Sequence, residues 1–169
     1  MLELEGISKS YPGVIANSDV SFDINVGEVH ALLGENGAGK STIAQCIYGF
    51  YHPEEGTIYV KGEPVSLTSP AAAIAVGIGM VHQHFKLVMP FTGRENVRLA
   101  AGATATWAET DARIDDVLKR INLKVELDIP VVKLSIAERQ RIEILKALTL
   151  GARILILDEP TAVLTDQEA

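Results

Sequence analysis

The residues from position 34 to position 42 are the stretch of this chain best suited to bind phosphate. They read Gly34, Glu35, Asn36, Gly37, Ala38, Gly39, Lys40, Ser41 and Thr42, which matches the pattern G-x-x-x-x-G-K-[ST]. The glycines let successive backbone N–H groups point at phosphate oxygens. Lys40 can then reach the β- and γ-phosphates of a nucleotide, and the Ser41 hydroxyl can ligate Mg²⁺. The pattern predicts a nucleotide site, against the alternative of a glycine-rich turn with an incidental lysine.

An acidic pair near the end of the sequence could complete such a site. Asp158 and Glu159 follow the apolar run 153–157, which is typical of a central parallel strand covered on both faces. Parallel strands present ligands at their carboxyl ends, so we expect Asp158 beside the phosphate loop, where it can hold Mg²⁺ through a coordinated water. Glu159 can polarise an attacking water. The alternative is an acidic pair that merely ends a strand.

The elements that must position these residues are short. A strand is predicted at Glu28–Leu33, before the loop, and a helix at Ser41–Phe50, after it. Alternation of apolar and polar residues predicts half-buried strands at Leu2–Ile7 and Val20–Val26. The remaining predictions in this half are strands at Gly56–Val60 and Gly77–Val81, and a helix that Ser69 caps and Pro70 opens.

From Phe85 to Leu148 the signals are mainly helical. Helical spacing of apolar residues predicts one helix over 111–121 and an amphipathic one at Ala137–Leu148. The segment Gly102–Thr110, rich in alanine and threonine, is expected to be a mobile loop. The fold class is therefore α/β: a mixed or parallel sheet core of the P-loop NTPase type, with antiparallel strands at the N-terminus and a helical insertion.

Composition restricts the class of protein. The chain has 169 residues, of which 47% are apolar and 22% charged, and these values suit one globular domain or part of one. The net charge of −7 gives a nucleic-acid partner no support. No apolar run approaches the roughly 18–20 residues that span a bilayer, and the N-terminus lacks the pattern of a signal peptide. A lone cysteine, Cys46, suits a reducing compartment.

With these motifs, the heptad Leu134–Gln140 makes a family resemblance plain. It precedes a predicted helix and lies ahead of the run ILILDEPT, where the ABC family carries a signature commonly written LSGGQ. The chain resembles the nucleotide-binding subunit of an ABC transporter over nearly its whole length. Ser135 and the N–H groups that follow it would form an anion-binding helix start.

The resemblance extends to two more residues. Gln83 is similar to the Q-loop glutamine, which contacts the metal or water and senses the γ-phosphate; the alternative is a surface glutamine at a strand end. Tyr11 is similar to the aromatic residue that stacks on adenine; the alternative is a plain edge-strand tyrosine. His82 and His84 flank Gln83 in an H-x-H pair that could suit a metal, but without an evident third ligand we interpret them as loop residues.

The resemblance also implies an architecture and partners. It implies a single ABC nucleotide-binding domain, with a core at 1–83 and 149–169 and a helical subdomain at 84–148. Two such domains, in a homodimer or in tandem, sandwich ATP head to tail, so that Ser135 completes the partner domain's site. The transmembrane subunits of a permease would dock near Phe85–Asn96, at the cytoplasmic face of the membrane, and an extracytoplasmic solute-binding protein would act indirectly.

The chain departs from the family pattern in three places. Ile136, Ala137 and Glu138 replace Gly-Gly-Gln in the signature, and Thr165 replaces the aspartate of the D-loop. These variants, and the run Ile142–Leu148, resemble importers of sugars or nucleosides, whose polypeptides usually carry two such domains in tandem. No histidine is placed to serve as the switch histidine that follows the catalytic glutamate, so we expect the chain to be the first part of one domain.

Three functions stay open from the sequence. The first is ATP hydrolysis that drives solute import. The others are a soluble ABC protein of translation or repair, and an ATP-binding module without turnover. A GTPase is not expected, because the guanine-reading motif N-K-x-D is absent from the sequence.

Overall fold

The computed structural model describes residues 1–102 and 105–158, and its backbone divides into two compact units. The first unit is Met1–Ile78, and the second comprises the described residues from Gly79 onward. The predictions for Glu159 and for the D-loop at 162–165 fall on residues outside the described ranges.

The first unit is built on four antiparallel strands, β1 (Leu2–Tyr11), β2 (Val14–Ile24), β3 (Glu55–Val60) and β4 (Glu63–Val65). Their order in the sheet is β2-β1-β3-β4. In β1, Leu2 pairs with Ile24 of β2 on one side and with Val60 of β3 on the other. Leu2 and Leu4 are buried and Glu5 is exposed, which confirms the alternation predicted for the start of this strand. The strand continues past its predicted end at Ile7. The second strand begins before its predicted start but ends at Ile24, so the predicted end at Val26, which is 91% exposed, is wrong.

Two helices belong to this unit, α1 (Lys40–Ile47) and α2 (Pro70–Ala75). Both helices were predicted: α1 follows the phosphate loop, and the Ser69 side chain caps α2 by accepting a hydrogen bond from the Ala72 N–H. The predicted end of α1 at Phe50 is wrong, because the helix ends at Ile47, before the left-handed Gly49, and Phe50 is 51% exposed. Buried side chains of α1 and of the sheet make up most of the core of the unit. Its fully or nearly fully buried apolar members are Leu2, Leu4, Ile7, Ile43, Ala44, Cys46, Ile47, Ile58, Val60, Leu67, Ala73 and Ile78.

The predicted strand Glu28–Leu33 is wrong, because these residues adopt no regular secondary structure. Val29 is 97% exposed and Leu33 is 90% exposed. A strand is stabilised by the neighbours to which it is hydrogen-bonded and against which its side chains pack, and no strand within residues 1–102 and 105–158 pairs with this run. The apolar pattern therefore indicated a composition typical of strands, but it carried no information on whether a neighbouring strand would pair with this run.

A two-stranded sheet pairs β5 (Ile78–Val81), which belongs to the second unit except for its first residue, with β6 (Ile154–Leu157). The Asp158 N–H, directly after β6, donates to the carbonyl of Val81, the last residue of β5, at 3.1 Å. Both strands therefore end at the same edge and run parallel. The prediction that both faces of β6 are covered is wrong, since its residues are only partly buried and Leu157 is 41% exposed.

The predicted helical segment contains α3 (Gly93–Ala101), α4 (Trp107–Ile121) and α5 (Ile136–Thr149), and a 3₁₀ turn lies at Val131–Lys133. Each α-helix begins with a complete capping box, formed by the pairs Thr92/Glu95, Thr106/Glu109 and Ser135/Glu138. The predicted loop Gly102–Thr110 is therefore wrong in part, because the cap at Thr106 starts α4 inside it.

These helices enclose a second core, which lies wholly within the second unit. Its buried members are Val97, Ile114, Val117, Leu127, Val131, Leu134, Ile142 and Leu145. None of the helices within the described ranges combines the length and the apolar character that crossing a membrane requires.

Candidate functional site

The phosphate loop closes around the side chain of Lys40. Its ammonium donates hydrogen bonds to the Gly34 carbonyl at 2.8 Å and to the Glu35 carbonyl at 2.9 Å. The loop is exposed, and α1 starts at Lys40 itself, so the first N–H groups of that helix face the same loop. Backbone carbonyls thus hold the cation at the position where phosphate oxygens would compete for it.

Gly39 is required by both its backbone and its surroundings. It adopts a left-handed φ of +86°, and a Cβ added there would lie 2.2 Å from the Ala16 carbonyl oxygen and 2.6 Å from Asn17 Nδ2. Asn17, on β2, is 8% exposed and donates from Nδ2 to the Gly39 carbonyl at 3.3 Å. Asn17 was not among the predicted site residues: it is the one buried residue of β2, and it lies before the strand predicted at Val20–Val26, so no local pattern marked it.

Tyr11 ends β1 and lies beside a second aromatic residue. The rings of Tyr11 and Tyr51 meet edge to face, with centroids 5.7 Å apart and planes at 78°. Partial burial raises the pKa of Tyr11, and a hydrogen bond with the Thr42 side chain opposes this effect. The contact with Thr42 places Tyr11 beside the phosphate loop, and the tyrosine is 36% exposed. Tyr51 was missed, because nothing in the sequence relates it to Tyr11.

The first unit thus offers part of the set of groups that a nucleotide with Mg²⁺ requires. Lys40 and the N–H groups of the helix start suit a phosphate chain, the Ser41 hydroxyl suits Mg²⁺, and Tyr11 suits a base. When bound, Mg²⁺ neutralises charge on the phosphate oxygens.

The second unit places two further predicted residues at one edge of its sheet. Asp158 directly follows β6, and Gln83 lies exposed two residues after the end of β5. Because the two strands run parallel and end together, Gln83 and Asp158 come to the same edge. Their roles toward the phosphate loop stay predictions.

His82 and His84, on either side of Gln83, lie in a segment without regular secondary structure. Burial lowers the pKa of His82, and the charge of Glu143 opposes that shift. Within the described part of the chain, no group of three or more histidine, cysteine or carboxylate side chains is placed to hold a metal ion.

Ser135 is the N-cap of α5, which confirms its position at a helix start. Its hydroxyl donates to Glu138 Oε2 at 2.7 Å, and its backbone N–H donates to the same oxygen at 2.8 Å. Hydrogen bonds from Ser135 hold the pKa of Glu138 below its ordinary value. A carboxylate from this chain therefore lies at the start of the signature helix, where the common family sequence has a neutral glutamine.

A glycine loop closed on a lysine at a helix start, together with an antiparallel sheet, a short parallel sheet and a helical unit, defines the phosphate-loop class of α/β protein. Similarity to solved structures supports this class. The chain matches cbiO1 of Clostridium perfringens, part of the ABC transporter complex cbiONQ, with a TM-score of 0.81 and 31% identity, covering 99% of this chain and 68% of that one. It matches the ADP conformation of an ATP-binding cassette with a TM-score of 0.86 and 26% identity, covering 97% and 70%.

The ABC transporter family model matches residues 17–162, and the chain belongs to this family. It is 44% identical to the guanosine import ATP-binding protein NupO of Bacillus subtilis, over 99% of this chain and 34% of that protein. It is equally identical to the ribose import ATP-binding protein RbsA of Hahella chejuensis, over 100% and 35%. The chain thus spans about a third of the length of these relatives.

Proposed function

We propose that this chain binds ATP with Mg²⁺ and hydrolyses it to drive import of a sugar or a nucleoside through an ABC permease. The observation that carries the proposal is the closed phosphate loop, in which two carbonyls hold the Lys40 ammonium at a helix start. Similarity over almost the whole chain to proteins named for guanosine and ribose import supports the class of solute.

Each predicted site residue has a role in this function. The loop Gly34–Thr42 holds the phosphates, with Lys40 on the β- and γ-phosphates, and Tyr11 stacks on the base. The Mg²⁺ ligands are Ser41, Asp158 and Gln83. Glu159 polarises the attacking water.

The same proposal names the partners. A second nucleotide-binding domain, in another copy or in tandem, receives Ser135 at its γ-phosphate. The helical subdomain, 84–148, inserted into a core of 1–83 and 149–169, meets the permease through residues near Phe85–Asn96. Hydrolysis then takes place at the cytoplasmic face of the membrane, while a solute-binding protein acts indirectly through the permease.

The proposal is tested by measuring ATP hydrolysis by the protein in complex with its permease. Glu159→Gln should keep ATP binding and lose turnover, because the amide cannot take the proton from water. Lys40→Ala should weaken ATP binding by about 10- to 100-fold, since it removes charge-assisted hydrogen bonds worth about 1.5–3 kcal/mol.

The outcomes separate the three candidate functions. ATP binding without any turnover would point to a binding module. ATP hydrolysis by a protein that co-purifies with ribosomes or DNA, and not with a permease, would point to a soluble ABC protein.

A further inference from the structure

Glu143 is a buried carboxylate whose partners lie far away along the chain. It belongs to α5, and 1% of its surface is exposed. Its Oε1 accepts a hydrogen bond of 2.6 Å from the Lys86 backbone N–H, and its Oε2 lies 2.5 Å from Lys146 Nζ. A charge out of water is costly unless it is paired and hydrogen-bonded, and both of these conditions are met here.

Lys146 completes the arrangement, because its ammonium also donates to the Lys86 carbonyl at 3.3 Å. Two side chains from adjacent turns of α5 therefore hold both backbone polar groups of a single residue. Lys86 lies in a segment without regular secondary structure, so no strand or helix would otherwise pair these groups. We call Glu143, Lys146 and the Lys86 backbone the Lys86 clasp.

Val88, two residues after Lys86, is held in the same way from another helix. Its N–H donates to Asn96 Oδ1 at 2.7 Å, and its carbonyl accepts from Asn96 Nδ2 at 3.1 Å. Asn96 lies on α3 and is 4% exposed. The segment 86–88 is thus fixed by side chains from two helices, although it forms no regular structure itself.

The clasp connects two parts of the proposed site. Lys86 comes three residues after Gln83, and Glu143 lies in the helix that Ser135 caps. An apolar residue at position 143 would fill a core site without fixing any backbone. The buried charge therefore indicates a positional role rather than packing alone.

We propose that Glu143 is a positioning residue, which acts through the Lys86 backbone to hold the segment carrying Gln83 against the helix that begins at Ser135. The roles of Gln83 and Ser135 rest on the proposed function; the clasp itself does not. A movement of α5 is then transmitted to Gln83 through two hydrogen bonds and one ion pair.

Amide hydrogen exchange of the full chain tests the clasp without ATP hydrolysis. Glu143→Met should accelerate exchange of the Lys86 amide by about 10- to 100-fold, the value expected for a hydrogen bond to a charged group, and should also accelerate exchange at Gln83 and His84. Glu143→Gln keeps an acceptor oxygen and should restore most of the protection. Glu126→Gln, which alters an exposed glutamate of the same unit, is the matched control.

Exchange within α5 shows whether the fold survives. Amides of Ile142 and Leu145 should stay as slow as in the wild type. Unchanged exchange at Lys86 in Glu143→Met would overturn the clasp. If Glu143→Met does not fold, Lys146→Met should still accelerate trypsin cleavage after Lys86, and an unchanged cleavage rate would overturn the clasp equally.

A double-mutant cycle tests the link to Gln83 in the hydrolysing complex. Glu143→Met should lower kcat with little change in KM for ATP, and should lower it far less when Gln83→Ala is already present. Additive losses would show that Glu143 does not act through Gln83. A wild-type protein without ATPase activity would refute the proposed function, whereas the exchange experiment would still judge the clasp.

Discussion

At the scale of single residues, two glycines of the phosphate loop have the same backbone angle and different surroundings. Gly37 and Gly39 both have a φ of +86°. A Cβ at Gly37 would meet nothing within 4 Å, whereas one at Gly39 would overlap the Ala16 carbonyl. The left-handed angle strains any side chain at either position, but only at Gly39 do neighbouring atoms also leave no room for a side chain.

Alanine substitution should separate these two effects. Gly37→Ala should cost about 1 kcal/mol of unfolding free energy, for the left-handed angle alone. Gly39→Ala should cost roughly 1–3 kcal/mol more and should abolish ATP binding, because the loop must move away from β2. Urea unfolding and ATP titration of both variants provide the measurement. Equal effects of the two substitutions would contradict the close approach seen at Gly39.

At the scale of elements, the three capping boxes make the helical unit sensitive to acid. Hydrogen bonds from the cap residues lower the pKa of Glu95, Glu109 and Glu138. A carboxylate whose pKa is lower in the folded state stabilises that state above its unfolded pKa of about 4.3. This stabilisation is lost as the pH falls through the lower, folded pKa.

Removing the three charges should therefore make the free energy of unfolding depend less on pH at acidic pH. We expect the wild type to lose more stability than the triple variant Glu95→Gln, Glu109→Gln, Glu138→Gln as the pH falls from about 6 to below about 4.3. Urea unfolding across this range is the measurement, and Glu126→Gln is the control outside the caps. Parallel curves for wild type and triple variant would refute the contribution of the caps.

At the scale of the whole molecule, nucleotide should stabilise the folded chain. A ligand that binds only the folded state adds about 2.7 kcal/mol at 100 times its Kd. For a chain of this size each kcal/mol raises Tm by about 2–4 °C, so saturating ATP with Mg²⁺ should raise it by roughly 5–10 °C. Thermal unfolding with and without ATP measures the shift. At the same ATP concentration Lys40→Ala should lose between about half and most of the shift, because its binding is about 10- to 100-fold weaker. An undiminished shift in that variant would place the nucleotide elsewhere.

The sequence by itself determined the features that depend on neighbours a few residues apart. The phosphate loop, the helix after it, the cap at Ser69 and the alternating strand at Leu2 were all predictable, because their hydrogen bonds and periodicity are local. The capping box at Thr106 was equally local, so the start of α4 could have been found from its T-x-x-E pattern.

Only the tertiary structure decided which distant residues meet. Two apolar runs both had the composition of strands. Of these, 154–157 pairs with β5, whereas 28–33 pairs with no described strand and stays exposed. Asn17 reaches Gly39 across 22 positions, and Glu143 reaches Lys86 across 57. Such contacts follow from how helices and strands pack, and packing depends on the whole chain rather than on any local pattern.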